Sequence, residues 1–374
     1  MSEKRILLAS LLKPVNDTRM FEKLGLSLCK LPNVQVHIAG YTAPTPAGLP
    51  TNLTLYPIFD FVRLSIGRAY AQIKYWQLLE MLKPDLIIVC THELLLPSVL
   101  YKRKHKCRLI YDVQENYTLN LLSQEHYPWG IKHLLAGGIG TLEKSAAPQT
   151  DHFLLAERSY ATELGFIDNR FTILENKFKP GTHYTTPPTP VQLRQGSLKL
   201  HYTGTIAKLN GVFEAIALAE SMYQVNAGTT LTIMGYCASG STFSKLKEAI
   251  ADKPYIKLIG GDKLVPHHQI LQAISSSDIG LLPYHLNDSI ARCIPTKLFE
   301  YIASGLPVLV QQNPLWDNLV KKHDAGLSIN FNNININNLV TTLLKNKFYQ
   351  NGVSKDVFWE SEEQKLLPLI SHML

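Results

Sequence analysis

The sequence predicts an α/β protein built as two doubly wound domains with parallel sheets. Three observations carry that expectation. Short β-rich runs alternate with helix-length periodic segments, and the alternation occurs twice. A proline-rich stretch without periodicity separates the two series. The 374 residues also exceed what one hydrophobic core usually organises.

In the first series the strand-like runs are RILLAS (5–10), VQVHIAG (34–40), LTLYPI (53–58), DLIIVC (85–90), RLIYDV (108–113), HFLLA (152–156) and FTILEN (171–176). The unbroken apolar character of DLIIVC and RLIYDV suits strands covered on both faces. Helical periodicity fills most of the gaps, at 18–31, 68–83, 94–105, 131–147 and 157–165. Residues 177–197 then hold four prolines among Thr and Gly and read as a linker by composition. The second series follows with KLHYTG (199–204), TLTIMG (230–235), YIKLIG (255–260), DIGLLPY (278–284), LPVLVQ (306–311) and GLSINF (326–331). Helical segments at 210–223, 241–252, 266–277, 296–304, 314–322 and 335–347 separate those runs. The expected organisation is a first domain over 1–180, a linker over 181–197, a second domain over 198–355 and a closing helix over 356–374 that packs back on the first domain. The Asn-rich run FNNININNL (331–339) is short and leads into a periodic segment, so it reads as a polar loop and helix entry.

Composition narrows the function classes. With 45% hydrophobic and 18% charged residues the chain reads as soluble and globular. MSEKRILLAS passes from charges straight into a strand-like run, without a signal-peptide pattern, and no span is long and apolar enough to cross a bilayer. The five cysteines, Cys29, Cys90, Cys107, Cys237 and Cys293, are scattered and never in a C-x-x-C pair, which argues for a reducing cytosol and against disulfides or a zinc site. The formal charge is +7, and residues 1–180 carry 21 Lys or Arg against 16 Asp or Glu, so most of the excess lies in the first half. The densest basic stretch, Tyr101–Arg108, has two readings: a solvated helix end, or a contact for anionic lipid or a polyanionic acceptor at the inner membrane face. No interleaved aromatics accompany it, so no nucleic-acid partner is expected.

Doubly wound sheets bind ligands beyond the carboxyl ends of their strands. In the second series the first such loop is Thr203–Gly211, where Gly204 and Gly211 permit close backbone approach and Lys208 would favour a phosphate. A tight turn without a ligand explains the glycines equally well. The second loop enters the stretch IPTKLFEYIASGLPVLV (294–310). Pro295 and Thr296 suit a helix start, Gly305 its end, and Pro307 prevents continuation. Lys297 and Glu300 stand three apart on that helix, and a cation is at the unfavourable end for the helix dipole. A phosphate beside Lys297 resolves the oddity, with Glu300 free to accept from two neighbouring hydroxyls such as a ribose diol. An exposed ion pair is the plainer alternative.

The order of KLHYTGTI…G, IMGY, IGG…VP, SSSDIGLLPY and PTKLFEYIASGLPVLV resembles the donor domain of GT-B glycosyltransferases, especially the family 4-like group. KPVNDTRMFEKLGLSL, TLEKSAAPQTDHFLLAERSYATEL, TILENK and DVFWESEEQKLL extend the resemblance over nearly the whole chain. The resemblance implies a GT-B fold, two Rossmann-like doubly wound domains facing a central cleft, with an acceptor-binding first domain and a nucleotide-sugar-binding second one. It implies that Glu300 grips the nucleotide ribose and that Lys297 faces the diphosphate, beside Thr296. Gly204 and Thr205 match the phosphate-side loop, Gly235, Tyr236 and the 260–266 loop surround the base, and Asp288 and Ser289 fall where the donor sugar is read. In the first domain Asp17 and Arg19 lie in the first cleft loop, His92 follows DLIIVCT, and Gln114 and Glu115 follow YDV. Three positions depart from the family pattern. Arg292 stands eight residues before Glu300 where a glutamate is common, Gln114 replaces the His of a His-Glu pair, and Asn210 replaces a basic residue near Lys208.

The activity implied is transfer of a hexose-type sugar from a nucleotide-diphosphate sugar to a glycan or lipid-linked acceptor, in surface polysaccharide synthesis. Lys297, Lys208, Arg292 and loop amides would stabilise the leaving diphosphate without a metal or further cofactor, since no DxD-like carboxylate pair lies near. His92, Glu115, Asp17 and Glu93 are candidates for the base an inverting reaction needs, and retention or inversion stays open. Two alternatives remain: a GT-B sugar-nucleotide epimerase, and a catalytically silent protein that binds a nucleotide sugar or a partner transferase.

Overall fold

The computed structural model describes residues 3–62, 65–123, 129–181 and 184–374. The chain divides into two compact units, Met1–Lys179 with Trp359–Leu374, and Pro180–Phe358.

The first unit holds seven parallel strands, β1 (Lys4–Pro14), β2 (Val34–Tyr41), β3 (Leu53–Phe59), β4 (Leu86–Val89), β5 (Arg108–Val113), β6 (His152–Leu155) and β7 (Phe171–Ile173). Their order is β3-β2-β1-β4-β5-β6-β7, so the direction of winding reverses between β1 and β4. Right-handed crossovers on either side of that point place helices on opposite faces. The helix Thr18–Gly25 covers one face, and Gly67–Leu82, Leu95–His105 and Trp129–Ala146 cover the other. The closing helix Glu360–Met373 joins the first of these layers. Trp359, Leu366 and Ile370 share one core with Ile6, Leu8, Met20, Leu24 and Ile38. The Trp359 indole N–H donates to Ser27 Oγ at 2.9 Å, and buried Glu362 pairs with Lys177 and Lys365, each at 2.6 Å.

In the second unit the strands are β8 (Val191–Gln192), β9 (Lys199–Thr205), β10 (Thr230–Tyr236), β11 (Ile256–Gly261), β12 (Ile279–Leu282), β13 (Val308–Gln311), β14 (Gly326–Ile329) and β15 (Lys347–Phe348). Six of them form a parallel sheet in the order β11-β10-β9-β12-β13-β14, whose winding reverses between β9 and β12. β8 and β15 pair antiparallel apart from that sheet. The proline-rich stretch read as a linker lies within the span of this unit and contributes β8 to it. The Tyr184 hydroxyl donates to the Ala303 carbonyl at 2.7 Å, and Leu193 is buried.

The thirteen strand runs read from the sequence are all present; β1, at Lys4–Pro14, runs well beyond its expected end, and others are shorter than expected. Prolines 283 and 307 lack the N–H a ladder needs, so DIGLLPY shortens to β12 and LPVLVQ to β13. The helix expected over 157–165 is a single turn, Tyr160–Glu163, and Tyr117–Ser123 adds one that periodicity did not indicate. Among the described residues no helix is long and apolar enough to cross a membrane. None of the five cysteines is in a disulfide.

Candidate functional site

Strand register builds the floor of the site in the second unit. Gly235 of β10 stands opposite Gly204 of β9 on one side and Gly260 of β11 on the other. A Cβ at Gly235 would overlap the Gly204 carbonyl oxygen, and one at Gly260 would overlap that of Gly235. With φ of +121° at Gly204 and +87° at Gly260, the backbone there also disfavours any side chain. The result is a side-chain-free row across the carboxyl ends of three adjacent strands. A ligand can approach backbone directly at such a row.

The loop after β9 is fixed by its own hydrogen bonds. The Ile206 N–H donates to Tyr236 O at 2.8 Å, and the Asn210 amide donates to Thr205 O at 2.7 Å. Asn210, where the family pattern has a basic residue, thus braces the loop. Gly211, at φ +74°, packs against the Pro283 carbonyl so closely that a Cβ would collide, and it starts the helix Val212–Val225. Thr205 and Lys208 remain exposed at the loop's tip, and Tyr236 is exposed beside Gly235.

The stretch 294–310 folds as its residues suggest. The helix Thr296–Ala303 begins after Pro295, and a Gly305 at φ +62° ends it. There the Gly305 N–H donates to Ile302 O and the Leu306 N–H to Tyr301 O, both at 3.0 Å, the paired bonds of a Schellman cap. On the first turns Lys297 Nζ donates to Glu300 Oε2 at 2.8 Å. The Lys297 stem lies over Gly204, with Cε 3.7 Å from where a Cβ would stand. Glu300 is only 8% exposed, so the plain exposed ion pair is excluded. Its other oxygen, Oε1, lies 3.2 Å from His267 Nε2, at the start of the helix His267–Ser275. Burial acts to raise the Glu300 pKa, yet the charge of Lys297 and the contact with His267 outweigh it and bring it down to about 2. The carboxylate is therefore ionised and aligned at neutral pH.

Beneath Lys297, β9 carries His201, fully buried, with neither ring nitrogen hydrogen-bonded. Burial and then the Lys297 charge push its pKa down to about 4, so it stays neutral. Asp288, Ser289 and Arg292 occupy the loop after β12, further upstream. Asn287 Oδ1 accepts from Ser289 N at 3.1 Å and Ile290 N at 2.9 Å, and the Trp316 indole clamps the loop's end at Cys293 O, 2.8 Å. Asp288 and Arg292 are exposed on it.

In the first unit the candidate residues follow the carboxyl ends of β1, β4 and β5, which are adjacent in the sheet. Asp17 caps the helix Thr18–Gly25, its Oδ1 accepting from Arg19 N at 3.0 Å and Met20 N at 2.9 Å. Arg19 is buried instead of facing solvent. Its Nη2 and Nε donate to Asp112 at 2.6 Å and 3.0 Å, and its Nη1 to Leu174 O at 2.9 Å. Gln114 donates to the same Asp112 at 2.7 Å and accepts from Lys13. Glu115 is exposed and accepts from Asn120 at 3.2 Å. His92 is half-buried, edge-on to Tyr117 with ring centroids 4.6 Å apart. Its Nδ1 has no hydrogen-bond partner and stands 3.7 Å from Glu93, which binds Arg68 at 2.6 Å. Burial lowers the His92 pKa, against the pull of Glu93.

Sequence reasoning missed two features. His267 is 33 residues from Glu300, and the only trace of it was the flagged loop that precedes it. The Arg19–Asp112 pair spans 93 residues, although both lie next to strand ends that were singled out.

No protein-family model matches this chain, and no curated protein matches it in sequence. Solved structures do match along its length. HepE of Anabaena, in complex with UDP, superposes with a TM-score of 0.66 at 13% identity, over 99% of this chain and 100% of that one. Sucrose-phosphate synthase of Thermosynechococcus elongatus gives 0.72 at 12% identity, over 99% of each chain. WaaG, a glycosyltransferase involved in lipopolysaccharide biosynthesis, gives 0.60 at 14% identity, over 96% of this chain and 94% of that one. The chain has the GT-B fold of these glycosyltransferases, with two Rossmann-like units.

Proposed function

We propose that this GT-B chain is a glycosyltransferase that passes a hexose-type sugar from a nucleotide-diphosphate donor to a glycan or lipid-linked acceptor in surface polysaccharide synthesis. One observation carries the reading: a buried, ionised Glu300 held by Lys297 and His267 beside the glycine row of β9, β10 and β11. Glu300 would release Lys297 and, still oriented by His267, accept from the two ribose hydroxyls. Lys297 would then turn to the diphosphate above Gly204, with Thr205, Thr296 and Lys208 around it. Gly235 and Tyr236 would border the base, and Asp288 and Ser289 the sugar.

Breaking the glycosidic bond leaves negative charge on the diphosphate, and preorganised donors at that place lower the barrier. Lys297, Lys208 and Arg292 supply it in this reading without a metal. If the reaction inverts, His92 is the base, because burial favours its neutral form. Glu115 is the second choice. Asp17 is spent on its helix cap and acts by positioning. The chain would work in the cytoplasm, at the inner membrane face. The HepE complex with UDP and the role of WaaG in lipopolysaccharide synthesis support the donor and acceptor classes.

The test is incubation with a panel of sugar nucleotides, starting with UDP-glucose, while released nucleoside diphosphate and the sugar's configuration are followed. Release that rises with added glycan or lipid-linked acceptor supports the transferase. Interconversion of the sugar without release would make the chain an epimerase. Binding with neither would make it a silent binder.

A further inference from the structure

We propose that the outer face of the helices Gly67–Leu82, Leu95–His105 and Trp129–Ala146 docks the first unit on an anionic lipid bilayer. Of the sixteen large apolar side chains exposed among the described residues, eleven lie on these helices or the segment entering the first. The other five are scattered over the second unit. Winding puts all three helices on one face of the sheet, and neighbouring helices pack side by side. Each exposes large apolar side chains where a soluble helix normally turns a polar face. Tyr70 and Ile73 lie on the first, Leu96 and Leu100 on the second, Trp129 and Leu134 on the third, the last two 74% and 76% exposed. Apolar exposure concentrated on one helical layer in this way marks a contact surface.

The charge on the layer selects the occupant. The three helices carry seven Lys or Arg against two Glu. Three of the cations are held in ion pairs, Arg68 with Glu93, Lys102 with Asp151 and Lys104 with Glu80, while Glu143 is buried and accepts from the Tyr111 hydroxyl at 2.7 Å; Lys74, Arg103, Lys132 and Lys144 supply the remaining positive charge. Lys74 lies over the Tyr70 ring at 5.5 Å and donates to the Ile58 carbonyl at 3.3 Å. Aromatic and leucine side chains flanked by lysine and arginine match the boundary between headgroups and acyl chains, where apolar insertion and attraction to anionic lipid add. The basic run at Tyr101–Arg108 contributes little by itself. Tyr101 is buried, and Lys102 and Arg108 both pair with Asp151, at 2.5 and 3.3 Å. Insertion of the exposed apolar side chains therefore carries the contact, and the cations orient it.

This inference rests on the transferase reading only for its purpose, access to a lipid-linked acceptor; docking itself needs neither donor nor acceptor. The full chain is floated with vesicles of phosphatidylcholine, with and without phosphatidylglycerol, at low and high salt. Binding is expected to the anionic vesicles and to persist in part at high salt. The double substitution Trp129→Ser with Leu134→Ser should weaken it by about tenfold or more at both salts. Arg103→Glu with Lys144→Glu should weaken it mainly at low salt. All four side chains are on the exposed surface, so the fold is retained and circular dichroism checks it. Failure of the native chain to float, or equal flotation of the serine variant, overturns the proposal. So does lipid-free self-association that the serine variant abolishes, which would make the face a contact between copies. Flotation without binding of any nucleoside diphosphate or sugar nucleotide in the panel would keep the docking face and remove the transferase reading, and such binding without flotation would remove the face alone.

Discussion

His267 Nε2 stands 3.2 Å from Glu300 Oε1, and that contact fixes the orientation of a carboxylate that Lys297 alone would leave free to turn. His267→Ala should weaken UDP binding by about tenfold while leaving the fold intact. A double-mutant cycle with Glu300→Ala should give a coupling of about 1 kcal/mol. Additive losses would show that His267 does not act through Glu300.

The pH dependence of stability follows from the same carboxylate. Its folded pKa of about 2 lies below the ordinary value of about 4.3, so the ionised form stabilises the fold. That contribution is complete above the ordinary value and is lost as pH falls toward 2. Glu300→Gln should therefore be less stable than the native chain at pH 7, and the gap should close between about pH 4.3 and pH 2. Urea unfolding of both proteins across that range checks the sign. A gap that widens on acidification would contradict it.

The glycine row makes a steric prediction. Gly235→Ala forces β9 and β10 apart and should cost more than about 3 kcal/mol. Gly240→Ala is the control, because nothing stands within 4 Å of the added carbon and the position lies in the helix Gly240–Ile250. It should be neutral or stabilise by up to about 1 kcal/mol. Equal effects at the two positions would show that the row is not sterically constrained.

Asp112 is a test of the first unit. Its pair with Arg19 is buried on both sides, with side-chain exposures of 3% and 0%. Asp112→Ala strands a buried guanidinium and should destabilise by about 3–5 kcal/mol. Chemical denaturation reads this directly, and a loss under about 1 kcal/mol would show that the pair is dispensable.

What was legible in the sequence was what lies close along the chain. The strand runs, the caps of the helix Thr296–Ala303 and the Lys297–Glu300 spacing all depend on residues within a few positions of one another. Gly204 and Gly211 were visible because each adjoins a strand or helix end. Register and long-range pairing were not legible. Gly260 joins Gly204 and Gly235 only once β9, β10 and β11 are aligned, and His267 meets Glu300 only through the sheet between them. The proline-rich stretch hid β8, because two residues pairing with Lys347–Phe348 leave no periodic trace. The helix Tyr117–Ser123 is too short for periodicity; the Asn116 carboxamide oxygen, accepting from Leu119 N at 3.0 Å, marks its start.

The claim that Glu300 and Lys297 hold a nucleotide donor is tested most directly by calorimetric titration of UDP into the native chain and into Glu300→Ala and Lys297→Ala. The native chain should bind, and each substitution should weaken binding by tenfold or more, about 1.4 kcal/mol. Affinity unchanged in both variants would contradict it.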